Sequence, residues 1–293
     1  MSGVAGERGE GRLAFFGPAG TFTEEAAIQY SAREGTEAAL VPMTTITAVY
    51  KAVQSGMADE GIVPIENSLE GSVPETLDVL VHSEPPLFIR DEITIEIDHC
   101  LLVKPGMETA DVSIVYAHPQ ALGQCRGFIE RCFPKAQVEA ALSNAGAVEE
   151  MMSKEGAAAI APRRAAEIYG ASVLAQGIQD RSPNHTRFVV LAHEDHKPTG
   201  EDKTSIALAF ATEDRPGLLV AALQEFANRG INLSKIESRP SKERLGTYIF
   251  LIDVDGHATV PELTEAIREI EGNCSYFRVL GSYPRHRPPA RPA

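Results

Sequence analysis

The 293-residue chain has few cysteines, no long apolar run and a deficit of positive charge. Its four cysteines form no Cys-x-x-Cys pair and no plausible zinc pattern, so we expect reduced thiols in a cytoplasmic protein. No run approaches the roughly 18 apolar residues of a membrane span. The 27 Lys and Arg against 41 Asp and Glu give a net charge of −14, which disfavours nucleic acid and membrane surfaces as partners. An anionic ligand would therefore need backbone N–H groups or a few placed donors.

What the chain does have is an alternation of short apolar strands and amphipathic helices, starting at Leu13. This order indicates a mostly parallel sheet, and it restarts near Val112 as a second α/β set of roughly 80 residues. Two such sets predict an α/β two-lobed region of the periplasmic-binding-protein-like type, with a cleft between the lobes. One helix is expected over Pro119–Cys132, and Ser72 with Glu75 fits a capping box.

A charged stretch containing Pro198 and Gly200 separates this region from a module with a different pattern. The module reads β-α-β-β-α-β, the ferredoxin-like split arrangement of an α+β domain. Thr259 with Glu262 fits a capping box for its second helix, and Asp214 is a candidate N-cap for its first. The predicted segments are a disordered tail at 1–11, a two-lobed domain at 12–192 (one lobe at 12–92 with 184–192, the other at 98–180), a linker at 193–203, a C-terminal domain at 204–283 and a disordered tail at 284–293.

Polar residues stand where the predicted sheets would bind a ligand. Glu66, Asn67 and Ser68 directly follow the third strand, at the carboxyl edge where open α/β sheets hold ligands. Their different hydrogen-bonding types suit ligand orientation, with an Asn turn as the structural alternative. The glycine-containing turn at 17–23 is neither a dinucleotide-binding nor a Walker motif. It serves either as a plain turn or as an anion site at a helix start.

Three further side chains are candidate functional residues on position alone. His118 opens a predicted helix, where a lone histidine is usually a solvated or capping residue. Gln124 lies one turn into that helix and is placed to face the cleft. Thr186 enters a strand that returns near the predicted hinge, where both lobes reach a ligand.

Several short motifs occur together and in a fixed order. They are Gly17-Pro18-Ala19-Gly20-Thr21-Phe22, Pro64-Ile65-Glu66-Asn67-Ser68, His118-Pro119-Gln120 with Gln124-Cys125, Asn184-His185-Thr186-Arg187-Phe188, Gly217-Leu218-Leu219-Val220 and Glu237-Ser238-Arg239-Pro240. In this combination the chain resembles the prephenate dehydratase family from about Arg12 to Tyr283, and its C-terminal module looks like an ACT regulatory domain. Ala117 and the Ser143-Asn144 pair depart from the commoner family pattern.

This resemblance implies a catalytic region that converts prephenate to phenylpyruvate in L-phenylalanine biosynthesis, with neither redox cofactor nor metal. It also implies feedback by phenylalanine at the ACT domain, a homodimer or homotetramer, and the monofunctional form without a chorismate mutase segment. By resemblance, the catalytic residues are Thr186 as the principal one, with Glu66, Asn67, Ser68 and Gln124; the substrate contacts are Thr21, Phe22, Arg187 and Phe188; and the effector contacts are Gly217, Leu218, Leu219, Asn232, Glu237, Ser238, Arg239 and Pro240.

Two alternatives stay open at the level of sequence. An arogenate dehydratase would perform the same chemistry on the amino analogue of prephenate. A non-catalytic, two-lobed small-molecule binding protein with a sensor module would share the architecture without the reaction.

Overall fold

The computed structural model describes residues 11–210, 216–242 and 246–286. Most of the two predicted tails and the candidate N-cap Asp214 lie outside these described residues. The strands are β1 (Arg12–Phe16), β2 (Ala39–Met43), β3 (Glu60–Asn67), β4 (Gly71–Ser72), β5 (Phe88–Glu96), β6 (Cys100–Val103), β7 (Ile114–Ala117), β8 (Gln137–Ala140), β9 (Ala157–Ala161), β10 (Ser172–Gln176), β11 (His185–Ala192), β12 (Asp202–Phe210), β13 (Leu233–Pro240), β14 (Tyr248–Asp255) and β15 (Cys274–Pro284). The helices are α1 (Phe22–Glu34), α2 (Ile46–Gln54), α3 (Pro74–His82), α4 (Pro119–Gln124), α5 (Arg126–Cys132), α6 (Asn144–Ser153), α7 (Arg163–Tyr169), α8 (Leu218–Asn228) and α9 (Pro261–Glu271).

The described chain divides into two units with dense internal contacts. The first contains residues 11–73 and 94–188, and the second contains 74–93 together with the described residues from 189 onward. Strands β5 and β11 each pass from one unit into the other along the chain. The domain limits expected from the sequence stay a prediction, because these units group 74–93 with the C-terminal module.

The first sheet has the strand order β2-β1-β3-β11-β5, with the short β4 paired to β3. Strand β1 lies parallel to both β2 and β3, as the alternation of strands and helices predicts. Helix α2 crosses this sheet so closely that a side chain at Gly61 would meet Val49 at 2.7 Å, which explains the glycine. Parallel strands end at the same edge, and α1 starts there, capped by the Thr21 side chain.

The second sheet has the order β10-β6-β9-β7-β8. Its central strand β9 is fully buried and consists of four alanines and Ile160, because helices cover both of its faces. Met151 of α6 packs in the cluster on one face, and Ile129 of α5 packs on the other. These two sheets confirm the predicted pair of α/β lobes, with the periplasmic-binding-protein-like fold.

The second unit contains an antiparallel sheet with the order β13-β14-β12-β15. Helices α8 and α9 pack on one face of it around the buried Phe226 and Leu263. The chain order β12-α8-β13-β14-α9-β15 confirms the predicted ferredoxin-like module. Within the same unit, Lys203 makes a buried ion pair with Glu92 at 2.9 Å.

Two local predictions were wrong. The expected helix over Pro119–Cys132 is two helices, α4 and α5, broken at Cys125. The capping box of Thr259 with Glu262 does not form, because α9 starts after Val260 and the Thr259 hydroxyl bonds to His257 at 2.8 Å. Ser72 lies in β4 opposite Glu66, and its capping box with Glu75 stays a prediction.

None of the helices among the described residues has the length and apolar character that crossing a membrane requires. No group of three or more His, Cys, Asp or Glu side chains among these residues is placed to hold a metal ion.

Candidate active site

A cavity of about 280 Å³ lies within the first unit, where segments of both sheets meet. This volume is near the lower end of the roughly 300–1,000 Å³ range of ligand pockets and suits a single-ring ligand. Among the described residues that line it, none is Asp, Glu, Lys or Arg. The lining residues are Phe16, Gly17, Thr21, Phe22, Thr23, Ile46, Pro64, Asn67, Val73, Ile97, His99, His118, Gln120, Ala121, Gln124, Leu142, Ser143, Asn144, Thr186 and Phe188.

The side-chain orientation of Asn67, on the polar side of this cavity, is fixed by hydrogen bonds to the backbone. Its carboxamide oxygen accepts from the backbone N–H groups of Leu69 and Glu70, at 2.9 and 3.0 Å, which closes an Asx turn after β3. Because backbone N–H groups can only donate, this oxygen cannot change places with the amide nitrogen. Asn67 Nδ2 therefore points at its other neighbours, Oγ1 of Thr186 at 2.9 Å and Oδ1 of Asn184 at 2.8 Å.

This arrangement determines the direction of the Thr186 hydroxyl. Thr186 Oγ1 accepts a hydrogen from Asn67 Nδ2, so its own proton is available to another acceptor. Thr186 is buried and lines the cavity. The cavity wall thus presents one oriented hydroxyl donor and has no Asp, Glu, Lys or Arg side chain among its described lining residues.

A second carboxamide joins the same cluster from the other lobe. It belongs to Gln124 of helix α4, which packs on the second sheet. Its Oε1 accepts from Asn184 Nδ2 at 2.9 Å and lies 2.9 Å from Nε2 of His99, while its Nε2 donates to Glu70 at 3.3 Å. The ring of His99 packs edge-on against Phe22. Burial lowers the pKa of His99, and the hydrogen bond to Gln124 and the nearby Asp98 charge oppose that shift only in part.

Two helix starts border the cavity. Thr21 caps α1 by accepting from the Glu24 N–H at 3.4 Å, and Ser143 caps α6 by accepting from the Gly146 N–H at 2.9 Å. First-turn amides lack partners inside their helix, and the helix dipole adds partial positive charge there. The cavity is therefore able to hold carboxylates without a basic side chain.

Comparison with known proteins agrees with this geometry. A family model described as prephenate dehydratase matches residues 13–196, and one described as the ACT domain matches residues 207–272. The chain belongs to the prephenate dehydratase family. It is 42% identical over 275 residues to the bifunctional chorismate mutase/prephenate dehydratase of Aquifex aeolicus, covering 94% of this chain and 74% of that protein.

Two solved structures resemble the whole chain. Prephenate dehydratase from Arthrobacter aurescens, in complex with L-Phe, is 38% identical with a TM-score of 0.84, covering 94% of this chain and 90% of that one. A protein described as GqqA, a novel type of quorum quenching acylase, is 30% identical with a TM-score of 0.82, covering 94% and 98%. The prephenate dehydratase fold thus occurs with more than one described activity, and the cavity residues must distinguish between them.

The structure separates the residues that the family resemblance proposed for the active site. Those that line the cavity are Thr21, Phe22, Asn67, Gln124, Thr186 and Phe188. Glu66, Ser68 and Arg187 do not. Glu66 pairs with Arg187 at 3.1 Å, and Ser68 Oγ accepts from the His185 N–H at 3.0 Å. A role for these three in prephenate dehydratase chemistry stays a prediction.

Other residues of the cavity and its hydrogen-bonded network, among them His99, Asn184 and Asn144, were not proposed from the sequence, whereas His118 was a candidate on its position alone. His99 and Asn184 are buried in the hydrogen-bonded cluster, and Asn144 carries a buried Oδ1 without a partner among the described residues. His118 caps α4, accepting from the Gln120 N–H at 3.3 Å, as its position suggested, but it also lines the cavity. Asn184 stands inside a family motif, and that was the available signal for it.

The effector residues expected from the ACT resemblance lie in the second unit. Gly217, with φ +94°, is the N-cap of α8, and Leu218 and Leu219 form its first turn. Glu237, Ser238, Arg239 and Pro240 lie on the edge strand β13. Glu237 contacts Lys235 at 3.4 Å, Arg239 pairs with Asp78 of α3 at 3.1 Å, and Asn232 donates to Asp255 at 3.4 Å.

Proposed function

We propose that this chain is a prephenate dehydratase, which converts prephenate to phenylpyruvate, CO2 and water. The observation that carries the proposal is the Thr186 hydroxyl, whose oxygen is occupied by Asn67 and whose proton is free to meet a leaving group. The other cavity features are consistent with the charge of the substrate. Prephenate brings two carboxylates, and the starts of α1 and α6 supply backbone donors for them.

The reaction moves negative charge from one end of the ring to the other. The bond between the ring and its carboxylate breaks, the electron pair enters the ring, and the hydroxyl at the opposite carbon departs with a proton as water. A donor at the departing oxygen stabilises the charge that develops there, which is the largest kind of contribution that a site of this type makes. Thr186 supplies that donor. The apolar walls formed by Phe22, Ile97 and Phe188 exclude water from the carboxylate that becomes neutral CO2.

Prephenate is favoured over arogenate by the same lining. Arogenate replaces the keto group with an ammonium, which proteins usually pair with a carboxylate or several oxygens. None of the described lining residues carries a carboxylate, and Glu70 beyond them is engaged with Gln124. We therefore expect a higher kcat/KM for the keto substrate.

Acylase chemistry is less consistent with the cavity. A hydroxyl nucleophile needs an adjacent base, usually histidine. In the described part of the chain, the His99 ring bonds to the Gln124 side chain and the His118 ring accepts from the Gln120 backbone N–H, so neither histidine side chain is hydrogen-bonded to a hydroxyl.

For regulation, we propose that L-phenylalanine binds the ACT module and that two copies of the chain form the site. The complex of the Arthrobacter relative with L-Phe supports the ligand. Three exposed apolar side chains on the module, Val220, Ile236 and Tyr248, support an interface between copies. A cytoplasmic location stays a prediction from the sequence.

The test is direct. The purified chain is incubated with prephenate and, in parallel, with arogenate, beside an enzyme-free control, and the keto acid or amino acid product is measured. Phenylpyruvate formation with a larger kcat/KM for prephenate is the expected result. A chain that forms neither product would refute the proposal. Light scattering with and without L-phenylalanine checks the oligomer, and a monomer under both conditions would refute the shared site.

A further inference from the structure

The two contacts on Gln124 Oε1 define the protonation of His99. Asn184 Nδ2 donates to this oxygen, because Asn184 Oδ1 already accepts from Asn67. Gln124 Oε1 is therefore the acceptor, and its amide nitrogen faces Glu70. The atom of His99 that lies 2.9 Å from this oxygen, Nε2, must carry the hydrogen.

The surroundings of the other ring nitrogen decide whether the ring is charged. Nδ1 of His99 is buried and has no hydrogen-bond partner in the described part of the chain. An imidazolium would need a second acceptor there, and an unpaired buried donor is costly. The geometry therefore requires a neutral ring protonated on Nε2. Burial, which lowers the pKa of His99, acts in the same direction.

We propose that His99 is a positioning residue of the dehydratase site, which acts as the neutral Nε2–H tautomer and holds the Gln124 carboxamide in the one orientation that pairs with Asn184 while Asn67 donates to Thr186. This inference rests on the proposed function. His99 does not act as the acid that protonates the departing hydroxyl, since its only ring N–H is engaged with Gln124.

The hydrogen-bonded cluster is held at both ends. Asn67 is fixed at one end by two backbone amides, and Gln124 is fixed at the other by His99. If His99 presented a lone pair at Nε2, Gln124 would turn its nitrogen toward it, and the Asn184 amide would then face another donor. Asn184 would have to turn as well, and its Nδ2 would then face Asn67 Nδ2, which is also a donor. Glu70 also favours the observed orientation, but it is exposed and its contact is long, at 3.3 Å.

The tautomer itself is measurable without activity. In protein labelled with 15N-histidine, two-dimensional spectra that correlate ring nitrogens and carbon-bound protons distinguish Nδ1–H, Nε2–H and imidazolium. The His99→Gln variant assigns the signal, and His82→Gln, at an exposed position, is the matched control. We expect a neutral Nε2–H ring at pH 7. A proton on Nδ1, or an imidazolium, would overturn the inference even if the enzyme is active.

Kinetics test the positioning role. His99→Gln can supply an amide hydrogen close to the position of Nε2–H, so kcat should stay within roughly tenfold of the parent chain, and the acid limb of the kcat–pH profile should be unchanged. His99→Phe keeps the ring shape but has no donor, and kcat should fall about 10²-fold with KM nearly constant, as for loss of one placed hydrogen bond. Loss of the acid limb in His99→Gln would instead make His99 a proton donor.

Two carboxylates act on this cluster, Asp98 beside His99 and Glu70 beyond Gln124, so both remain in every variant. Normal turnover by His99→Phe would overturn the positioning role. If the parent chain has no activity on prephenate, the proposed function fails while the tautomer result still stands by itself. If His99→Phe does not fold, the spectra of the parent chain and the pH profile of His99→Gln decide the question.

Discussion

Asn67 Nδ2 donates to Thr186 Oγ1 over 2.9 Å, and the Asn67 oxygen is held by the backbone amides of Leu69 and Glu70. Two backbone groups after β3 thus set the direction of a hydroxyl on β11, which lies more than a hundred residues away in the chain. The hydroxyl needs this support because a threonine alone rotates among several rotamers, each pointing its proton elsewhere. The dehydratase chemistry follows from the direction of that proton.

Removing the Thr186 hydroxyl should therefore impair turnover much more than binding. Thr186→Val keeps the shape, and we expect kcat to fall roughly 10²–10³-fold, the size of one placed donor lost. Thr186→Ser should retain much of the activity because it keeps the hydroxyl. Ser153→Ala, at an exposed helix end, is the matched hydroxyl control and should behave like the parent chain. Near-normal kcat in Thr186→Val would remove Thr186 from the mechanism.

Reversing the donor at Asn67 tests the direction of the bond rather than its presence. Asn67→Asp keeps an oxygen for the Leu69 and Glu70 amides, but it places an acceptor opposite Thr186 Oγ1. The hydroxyl would then donate to the new carboxylate, and we expect a loss of kcat at least as large as in Thr186→Val. Protonating this buried carboxyl restores one donor, so kcat should rise as the pH falls. A variant with parental kcat and a parental pH profile would show that the direction does not matter.

The sequence predicted the residues of this site better than their roles. Asn67, Gln124 and Thr186 follow from the motifs, and all three line the cavity. Glu66 stands in the same motif but faces the opposite way, because β3 continues to Asn67 and successive side chains of a strand alternate. The predicted strand ended at Ile65, so this alternation was not seen. Extending the strand by two residues would have separated Glu66 from Asn67.

Long-range contacts account for what the pattern could not predict. The residues from Pro119 to Cys132 look like one helix, yet Asp180 interrupts it. Its backbone N–H donates to the Gln124 carbonyl, and its carboxylate accepts from Gly127 and Phe128, which starts a second helix. His99 was missed for the same reason. Its partner Gln124 is on another element, and no spacing rule connects the two.

In the second unit, Gly281 should tolerate no side chain. A Cβ there would lie 2.7 Å from the backbone nitrogen of Ile89 and still closer to its carbonyl oxygen, and φ is +153°. We expect Gly281→Ala to lower the free energy of unfolding by more than about 3 kcal/mol, since strain and overpacking add. Gly230→Ala, at φ +69° with open space around it, is the control for backbone strain alone and should cost about 1 kcal/mol. Equal losses in urea titrations of the two variants would contradict the close approach.

The four thiols should differ sharply in reactivity. Burial raises the pKa of Cys125 to about 12 and that of Cys100 to about 11, and burial with the Glu271 charge raises that of Cys274 to about 11. Cys132 is exposed. At pH 8 we expect one fast equivalent with a disulfide reagent, absent in Cys132→Ser, and four equivalents in denaturant. Fast modification of more than one thiol in the native chain would contradict this burial. Turnover should survive modification, because Cys132 does not line the cavity.

The buried His99 should make stability depend on pH with a definite sign. Burial lowers its pKa below the ordinary value of 6.5, so the unfolded chain takes up a proton at a higher pH than the folded chain does. The stability that neutral His99 contributes is fully present above pH 6.5 and is lost as the pH falls from there toward the folded-state pKa. The slope for one group cannot exceed about 1.4 kcal/mol per pH unit. His118, whose pKa burial also lowers, acts in the same direction, so the parent chain alone does not isolate the effect. We therefore expect the difference in unfolding free energy between the parent chain and His99→Gln to shrink from pH 7.5 to pH 5.5 in urea titrations. A difference that grows toward acid would mean that His99 is charged in the fold.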